Sequence, residues 1–456
     1  MIAGLGGDYG KTLISLGLIT QIKKMGYEVQ AFKKGPDYID SAWLTQASGN
    51  PARNLDIYMM GNKKVQQSFL QYALTNGINI IEGNRGIFDG INTAGKSSSA
   101  ELAKLIKVPV ILIVNATKAT RTLAAIISGI KNFDKDLNIA GIIINKISTL
   151  RHKKIVTDSI KKYTGIPIVG VLPELEQLNI LPSRHLGLIT PKENTNGVDE
   201  LEQMGNEISK YIDIEKIVKI ANSAIKLKTC KKESLKNSIA QTLKIGYFYD
   251  SAFTFYYPEN LDALRQSGAE LIPISAINDK ELPDINLLYI GGGFPETHLL
   301  KLSENTGLLD AVRKAGMNGL PVYAECGGLI WLAESISYKD KIYELCKLLP
   351  LKINFREKPS GHGYCKVIVD EYNTFFPIGT KFKGHEFHYT EATPTTDAIH
   401  SVFQIEKGTG ALKERDGIVF KNIFASYFHF HALGNKAWAK GLINAATKNY
   451  ELQNKN

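Results

Sequence analysis

Hydrophobic runs and amphipathic stretches alternate along the first part of the chain. Thr12–Met25 and Ser98–Ile106 have the apolar spacing of helices that cover one face of a core. Short apolar runs without polar alternation lie between such stretches and predict strands buried on both faces: Glu28–Ala31, Ile78–Glu82, Val108–Val114, Ile139–Ile144 and Ile166–Val171. This alternation predicts a parallel sheet built from right-handed βαβ units.

The pattern changes at residue 193. From there to residue 242 the chain is polar and rich in Asn and Lys, with one helical segment near Asp199–Ile220. A second strand–helix alternation follows, with predicted strands at Lys244–Phe248, Glu270–Ile272, Leu287–Ile290, Pro321–Ala324 and Ile423–Tyr427. We therefore predict two α/β domains, residues 1–192 and 243–456, joined by a linker with a helix at 193–242.

Composition excludes several classes of protein. The 456 residues are 44% hydrophobic and 22% charged, which suits a globular protein of two or three domains. No apolar run reaches the length of a membrane span, and the first residues lack the pattern of a secretion signal. The four cysteines are too widely spaced for a disulfide framework or a CxxC metal site. We expect a cytoplasmic protein with no membrane role.

The charge balance is basic but diffuse. The formal net charge is +10, yet the lysines are scattered and their short clusters lack interleaved aromatic residues. Such scattered charge is typical of a solvated surface, with a modest bias toward polyanionic small molecules. We expect no nucleic-acid partner.

The chain opens with a glycine-rich loop between a short apolar run and a predicted helix. Residues 4–12 are Gly-Leu-Gly-Gly-Asp-Tyr-Gly-Lys-Thr. Lys11 in this position would reach the β- and γ-phosphates of ATP, and the Thr12 hydroxyl would bind Mg²⁺. Asp8 departs from the usual pattern because it brings a negative charge to a phosphate loop, unless it points outward or caps the helix. The glycines whose backbone N–H groups are predicted to contact ATP are Gly4, Gly7 and Gly10.

Polar side chains follow several predicted strands of the first domain. Glu82 ends one strand, Lys33 and Asp37 follow another, and Asn145 ends a third. Strand carboxyl ends form the ligand-binding edge of a parallel sheet. We therefore predict Lys33 and Asn145 as ATP contacts, and Glu82 and Asp37 as Mg²⁺ ligands beside Thr12. The combination favours ATP hydrolysis or phosphoryl transfer.

A second candidate site follows a predicted strand of the second domain. Pro321–Ala324 leads into Glu325, Cys326 and two glycines, Gly327 and Gly328. A thiol in a tight turn with small neighbours is typical of a nucleophile elbow, where backbone N–H groups stabilise an oxyanion. Cys326 is therefore predicted to be a catalytic nucleophile, whereas the other three cysteines lack such a setting.

Motifs along essentially the whole chain resemble those of the cobyrinic acid a,c-diamide synthase family, the glutamine- and ATP-dependent amidases of corrin side chains. In the first domain the matching segments are 32–40 (FKKGPDYID), 53–56 (RNLD), 82–90 (EGNRGIFDG) and 184–188 (RHLGL). In the second domain they are 291–296 (GGGFPE), 324–328 (AECGG), 384–389 (GHEFHY) and 426–431 (SYFHFH). So many matches in the same order are specific for the family.

The resemblance implies an N-terminal P-loop NTPase-like domain, similar to dethiobiotin synthetase, and a C-terminal α/β domain similar to class I glutamine amidotransferases. It implies ATP and Mg²⁺ as cofactors, and glutamine and a polyanionic tetrapyrrole as the molecules bound. A substrate carboxylate would be activated as an acyl phosphate and then attacked by ammonia, across a domain interface that closes. The residues considered for substrate placement are Tyr38, Asp40 and Asp56.

In the second domain the resemblance makes Cys326 the nucleophile that takes the glutaminyl group and His429 the base that activates it. Interpreted as one strand, Ser426–His431 puts His429 and His431 on one face, so His431 is a possible partner that orients the base. A neighbouring imidazolium is expected to lower the pKa of Cys326. The glycines expected to bind glutamine or its oxyanion are Gly292, Gly293 and Gly327.

Two alternatives remain open at this stage. The acceptor can be siroheme or Ni-sirohydrochlorin in place of cobyrinic acid, because all of them are polyanionic macrocycles with acetate arms. The chain can also be a P-loop regulatory ATPase with a degenerate amidotransferase module, although the paired Cys326 and His429 argue against degeneracy. A homodimer is an expectation by analogy alone.

Overall fold

The computed structural model describes residues 1–174, 181–184, 187–225, 243–412 and 414–454. The chain divides into two compact units, Met1–Ile57 with Gly61–Lys232, and Tyr58–Met60 with Glu233–Asn456. Cys230, the last part of the predicted linker and two residues of the 184–188 motif, His185 and Leu186, lie outside the described residues.

The first unit is built on a parallel sheet. Its strands pair in the order β3-β2-β4-β1-β5-β6-β7, and all of these pairs are parallel. The five strands predicted from apolar runs are all present, with shifts of a few residues at their ends. The strands are β1 (Ile2–Gly4), β2 (Val29–Lys34), β3 (Arg53–Leu55), β4 (Ile78–Gly86), β5 (Val110–Asn115), β6 (Ile139–Ile147) and β7 (Ile168–Pro173), and a separate two-stranded pair comprises β8 (Ser183–Arg184) and β9 (Gly187–Leu188).

Helices connect these strands and cover the sheet. A core of buried Ile, Leu and Val side chains joins one face of the sheet to the first, second, eighth and ninth helices. This arrangement places the loops that follow β1, β2, β4 and β6 at the carboxyl edge of the sheet. The helices of the unit are α1 (Lys11–Lys24), α2 (Tyr38–Ser48), α4 (Asn62–Tyr72), α5 (Ser99–Leu105), α6 (Arg121–Phe133), α7 (Leu150–Thr164), α8 (Gly197–Ser209) and α9 (Ile214–Asn222), and the short α3 (Ile57–Met60) belongs to the second unit from Tyr58 onward.

Two helices, α8 and α9, occupy the region where the sequence predicted one helical segment. The break has a local cause: Asp213 N donates a hydrogen bond to Val169 O of β7 at 2.8 Å, and the Asp213 carboxylate caps α9 by accepting from Lys216 N at 3.0 Å. Ile208 of α8 is buried against α1. The described part of the predicted linker therefore contributes to the core of the first unit.

The second unit combines parallel and antiparallel pairing in one large sheet. Its order is β11-β10-β12-β13-β22-β21-β20-β17-β18-β23, parallel from β11 to β22 and antiparallel beyond. The strands are β10 (Leu243–Phe248), β11 (Ala269–Ile274), β12 (Leu287–Ile290), β13 (Val322–Glu325), β17 (Gly361–Val369), β18 (Lys381–His388), β20 (His400–Lys407), β21 (Arg415–Phe420), β22 (Ile423–Ser426) and β23 (His429–Phe430).

Helices and a smaller sheet complete this unit. The strands of the smaller sheet are β14 (Ser335–Tyr338), β15 (Lys341–Glu344), β16 (Leu351–Phe355) and β19 (Thr390–Pro394). The helices are α10 (Pro258–Gln266), α11 (Leu299–Glu304), α12 (Thr306–Met317), α13 (Gly327–Leu332) and α14 (Ala437–Gln453). The five strands predicted here are present, and the prediction of two α/β domains in the fold class is confirmed. The antiparallel strands between residues 335 and 420 were not predicted.

The predicted single strand Ser426–His431 is wrong. β22 ends at Ser426, and β23 contains only His429 and Phe430. Between them, Tyr427 N donates to the Asp416 carboxylate at 3.1 Å and Phe428 N donates to Ser426 Oγ at 3.0 Å. The Asp416 and Ser426 side chains therefore accept hydrogen bonds from N–H groups that would pair with a neighbouring strand if this strand were continuous.

No helix among the described ranges is long and apolar enough to cross a membrane.

The contact between α1 and α8 generates a stability prediction. A Cβ atom on Gly17 would lie 2.4 Å from Ile208 Cδ1 and 3.3 Å from Ile208 Cβ, so valine cannot fit unless the Ile208 side chain or α8 shifts. We expect Gly17→Val to lower the free energy of unfolding of the first unit by about 1–3 kcal/mol in urea titrations. The matched control is Gly129→Val on α6, where nothing lies within 4 Å of the added Cβ and helix propensity favours valine slightly. Equal unfolding midpoints for the two variants would contradict the packing described here.

Candidate functional site

The glycine-rich loop joins β1 to α1, as the sequence predicted. Gly10 has φ 87°, a left-handed conformation, and a Cβ there would lie 2.8 Å from Asn145 Nδ2. Asn145 Nδ2 donates to Tyr9 O at 3.1 Å, so the end of β6 holds the loop. Lys11 Nζ bends back to donate to Gly6 O at 2.6 Å. Asp8 is exposed, which agrees with an outward-pointing side chain.

A buried polar network begins at the first turn of α1. Thr12 Oγ1 donates to Glu82 Oε1 at 2.7 Å, and Lys33 Nζ donates to the same oxygen at 2.7 Å. Lys33 Nζ also donates to Asp40 Oδ2 at 2.5 Å. Glu82 and Lys33 are 0% and 2% exposed. Three residues predicted for ATP or Mg²⁺ are therefore in direct contact, and Asp40, predicted for substrate, belongs to the same network.

The charges of this network control one another. Burial raises the pKa of Glu82 to about 7, although Lys33 opposes that shift. Burial lowers the pKa of Lys33, but the Asp40 and Glu82 carboxylates outweigh it and raise the pKa overall. Burial and the nearby Lys33 charge lower the pKa of Lys11. The site therefore holds two lysines that compete for the same carboxylates.

The donor set suits a magnesium ion. Glu82 Oε2 is buried and has no hydrogen-bond partner, and it belongs to the carboxylate that accepts from Thr12. A protein Mg²⁺ site of this type uses a hydroxyl and one or two carboxylates, with the phosphates and water supplying the other ligands. Thr12 and Glu82 are therefore the residues that would hold the ion.

The remaining predicted residues of the first unit lie around this network. Asp37 caps α2, because its Oδ1 accepts from Asp40 N at 2.8 Å, and burial raises its pKa to about 6. Tyr38 is the first residue of α2. Asp56 is buried beside Lys34, whose pKa is lowered by burial and partly restored by this carboxylate. The charge interaction described thus pairs Asp56 with Lys34.

Cys326 lies in the predicted tight turn between β13 and α13. Its φ and ψ are 48° and −100°, strained values for a residue with a side chain. Cys326 N donates to Ser426 O at 2.7 Å, which anchors the turn to the end of β22. The thiol is buried, and its Sγ lies 3.9 Å from Phe387 O. This is the geometry of a nucleophile elbow.

The glycines after β12 lie between His429 and the Cys326 turn. A Cβ on Gly292 would lie 2.6 Å from His429 Cε1 and 3.4 Å from its Nε2. A Cβ on Gly327 would lie 3.2 Å from Gly293 N. The residues predicted for the nucleophile, the base and the oxyanion are therefore brought together by the carboxyl ends of β12, β13 and β22.

The thiol does not have the lowered pKa that the sequence analysis expected. Burial raises the pKa of Cys326, and the nearby Glu296 and Glu325 carboxylates add to the shift, while Gly327 N–H opposes it. The pKa is raised because the thiol is buried away from water and has carboxylates near it. In this state Cys326 is a thiol, so a base has to remove its proton when glutamine is attacked.

His431 does not contact the base in the way that the sequence suggested. It follows the short β23, its Nε2 lies 3.6 Å from Glu259 Oε2, and its ring is tilted against the Tyr257 ring, with the two centroids 4.7 Å apart. Glu325 takes the position near the base instead: its Oε2 lies 3.3 Å from His429 Nδ1. The break after Ser426 explains the difference, because the alternation that paired the two histidines does not exist.

The GHEFHY motif, to which the sequence gave no role, contacts His429 through His385. His385 of β18 pairs in register with His429 and stacks on its ring at 5.0 Å. Burial lowers the pKa of His385 well below its usual value, so this imidazole is neutral. Glu386 accepts from Thr409 N at 2.6 Å and Gly410 N at 3.0 Å, and it contacts His388.

The same motif does not form a metal site. Across the described ranges, no group of three or more His, Cys, Asp and Glu side chains is placed to hold a metal ion. The structure thus adds Glu325 and His385 to the candidate glutamine site. Both belong to motifs quoted for the family resemblance, but neither has a sequence spacing that indicates contact with His429.

Comparison with known proteins matches both units. Residues 1–189 match the CobQ/CobB/MinD/ParA nucleotide binding domain family, and residues 244–437 match the CobB/CobQ-like glutamine amidotransferase domain family. A protein of Magnetococcus marinus named cobyrinate a,c-diamide synthase is 38% identical over 94% of this chain and 93% of its own length. Proteins with the same name from Archaeoglobus fulgidus and Methanobrevibacter smithii are 37% and 38% identical, over 98% and 94% of this chain and 97% and 95% of their own lengths.

These matches agree with the two α/β units and with the resemblance carried by the motifs. The chain therefore belongs to the cobyrinate a,c-diamide synthase family of glutamine-dependent amidotransferase ligases.

Proposed function

We propose that this protein amidates the a and c acetate side chains of cobyrinic acid in cobalamin biosynthesis, with ammonia from glutamine and energy from ATP. The observation that carries the proposal is the presence of two different candidate sites in one chain. One combines a glycine loop with the Thr12–Glu82 pair, and the other combines Cys326 with His429. The names of the full-length relatives support cobyrinic acid as the acceptor.

In the first unit, a substrate carboxylate takes the γ-phosphoryl group of ATP and becomes an acyl phosphate. A free carboxylate is a poor electrophile, and phosphorylation supplies a leaving group. The loop N–H groups and Lys11 bind the phosphates, and Asn145 fixes the loop through Tyr9 O. Thr12 and Glu82 would hold Mg²⁺, whose positive charge would offset the negative charge of the phosphates. Lys33, which is held by Asp40 and Glu82, keeps both carboxylates in position.

In the second unit, Cys326 Sγ attacks the side-chain amide carbonyl of glutamine. His429 takes the thiol proton and returns it to the departing ammonia. Gly293 N lies next to Gly327, 3.2 Å from the position of a Cβ added there, and Gly293 N and Gly327 N would stabilise the oxyanion. Water then releases glutamate from the thioester. The ammonia attacks the acyl phosphate and displaces phosphate, which leaves the amide.

The two half-reactions are separable by mutation. We expect Cys326→Ala to abolish glutamine-dependent amidation of cobyrinic acid while amidation with ammonium salts continues, because only the nitrogen supply is lost. We expect Lys11→Ala to lower the rate with either nitrogen source, by on the order of 10²-fold or more, because the phosphates lose their cation. Products are measured by mass spectrometry.

Parallel incubations with siroheme and Ni-sirohydrochlorin identify the acceptor. If one of these macrocycles is amidated and cobyrinic acid is not, that macrocycle is the acceptor. Equal loss of the ammonium-dependent reaction in both variants would contradict the assignment of separate sites. Glutamine hydrolysis at the same rate in wild type and Cys326→Ala would favour a degenerate amidotransferase module.

Gly292 tests the placement of the base. The added Cβ of Gly292→Ala would lie 2.6 Å from His429 Cε1, so the imidazole has to move. A displacement of about 1 Å in a catalytic group costs on the order of 10²-fold in rate. We expect that loss in glutamine hydrolysis, with unchanged ammonium-dependent amidation as the internal control. Hydrolysis at the wild-type rate would show that His429 is not the base.

Thr12 tests the metal site. Thr12→Val keeps the shape of the side chain but removes the hydroxyl that donates to Glu82. We expect the Mg²⁺ concentration for half-maximal ammonium-dependent amidation to rise about 10-fold or more, since a charge-assisted contact is lost. Thr12→Ser keeps the hydroxyl and is the matched control. The same Mg²⁺ requirement in both variants would place the ion elsewhere.

A further inference from the structure

A buried chain of hydrogen bonds in the second unit ends at the candidate base. Trp438 Nε1 donates to Tyr323 Oη at 2.9 Å, and Tyr323 Oη donates to Glu325 Oε1 at 2.8 Å. The second oxygen of the same carboxylate, Oε2, lies 3.3 Å from His429 Nδ1. Each of these four side chains is at most 2% exposed. The chain runs from helix α14 through β13 to β23.

The strand geometry explains why Glu325 can make both contacts. Tyr323 and Glu325 are two residues apart on β13, so their side chains project from the same face of the sheet. The next residue, Cys326, lies outside β13, in the tight turn that precedes α13. Adjacent residues thus supply the nucleophile and a carboxylate directed at the base.

The contacts of the imidazole fix the role of each nitrogen. Nδ1 faces Glu325, whereas the Cε1–Nε2 edge faces the glycine turn at Gly292. A carboxylate at Nδ1 keeps the proton there, which leaves Nε2 as the proton acceptor. The neighbouring His385 is neutral, so of these two contacts Glu325 is the one that compensates an imidazolium.

We propose that Glu325 is the positioning residue of the glutaminase, which sets the tautomer of His429 and stabilises its protonated form, and that Tyr323 and Trp438 hold the Glu325 carboxylate. This inference rests on the proposed glutaminase activity of Cys326 and His429. It gives the role that the sequence suggested for His431 to the carboxylate of the residue before the nucleophile.

The chain offers a matched control. Glu259 is also buried and also lies near a histidine, with Oε2 at 3.6 Å from His431 Nε2. Glu325→Gln and Glu259→Gln remove the same charge from two His–Glu pairs of the same unit. A difference between them therefore reports on the histidine that is contacted and not on the loss of a buried carboxylate.

The test is the pH profile of glutamine hydrolysis. Glu325→Gln should lower kcat on the order of 10²- to 10⁴-fold, with a smaller change in the KM for glutamine. Its acidic limb should move to lower pH, because the base has to be unprotonated and an imidazolium without an anionic partner loses its proton more readily. Glu325→Asp keeps the charge and should retain an intermediate rate and the wild-type limb. Glu259→Gln should keep the wild-type profile.

Ammonium-dependent amidation reports on the first unit, so the unfolding midpoint of every variant in urea is measured to report on folding of the second. If Glu325→Gln lowers that midpoint more than Glu259→Gln does, the decision falls to Tyr323→Phe, which should lower kcat and shift the same limb without removing a charge. Three outcomes overturn the inference: Glu325→Gln within about 3-fold of wild type, an unshifted limb in both Glu325→Gln and Tyr323→Phe, or the full effect in Glu259→Gln. Hydrolysis that does not depend on Cys326 would instead overturn the proposed function.

Discussion

Both candidate sites depend on one constraint, namely that parallel strands bring their carboxyl ends to a common edge. In the first unit this edge collects the glycine loop after β1, Lys33 at the end of β2 and Glu82 within β4. In the second unit it collects the glycines after β12, Cys326 after β13 and the end of β22. Residues far apart in sequence meet there because hydrogen-bonded strands lie only about 5 Å apart.

Burial of charge gives the two edges their chemistry. Lys33 is buried between Asp40 and Glu82, which makes the ion pair costly to break and keeps both carboxylates in position. Glu325 is buried next to His429 and accepts from Tyr323, so its carboxylate has few orientations available. In each unit buried hydrogen bonds hold the polar side chains in place, which favours one arrangement of the reactive groups.

The sequence predicted local features well where a short motif is compatible with few backbone structures. A glycine loop followed by Lys11 and Thr12, and a cysteine before two glycines, each permit few structures, and the structure contains the loop and the elbow. Apolar runs located the strands of the parallel sheets. Prediction failed where side chains interrupt the backbone pattern: Asp416 and Ser426 take the N–H groups that would have made one strand of Ser426–His431.

The sequence by itself determined the two α/β domains and the family, and it singled out Cys326 as the candidate nucleophile, because motif spacing and hydrophobic pattern are local properties of the chain. Only the tertiary structure decided which groups meet. It placed Glu325 and not His431 on Nδ1 of His429, stacked His385 on the same ring, and joined Asp40 to Glu82 through Lys33. It also raised the pKa of Cys326 where the sequence had predicted the opposite. The physical reason is that contacts across a sheet and the extent of burial depend on strand order and register, which residue spacing along one segment does not encode.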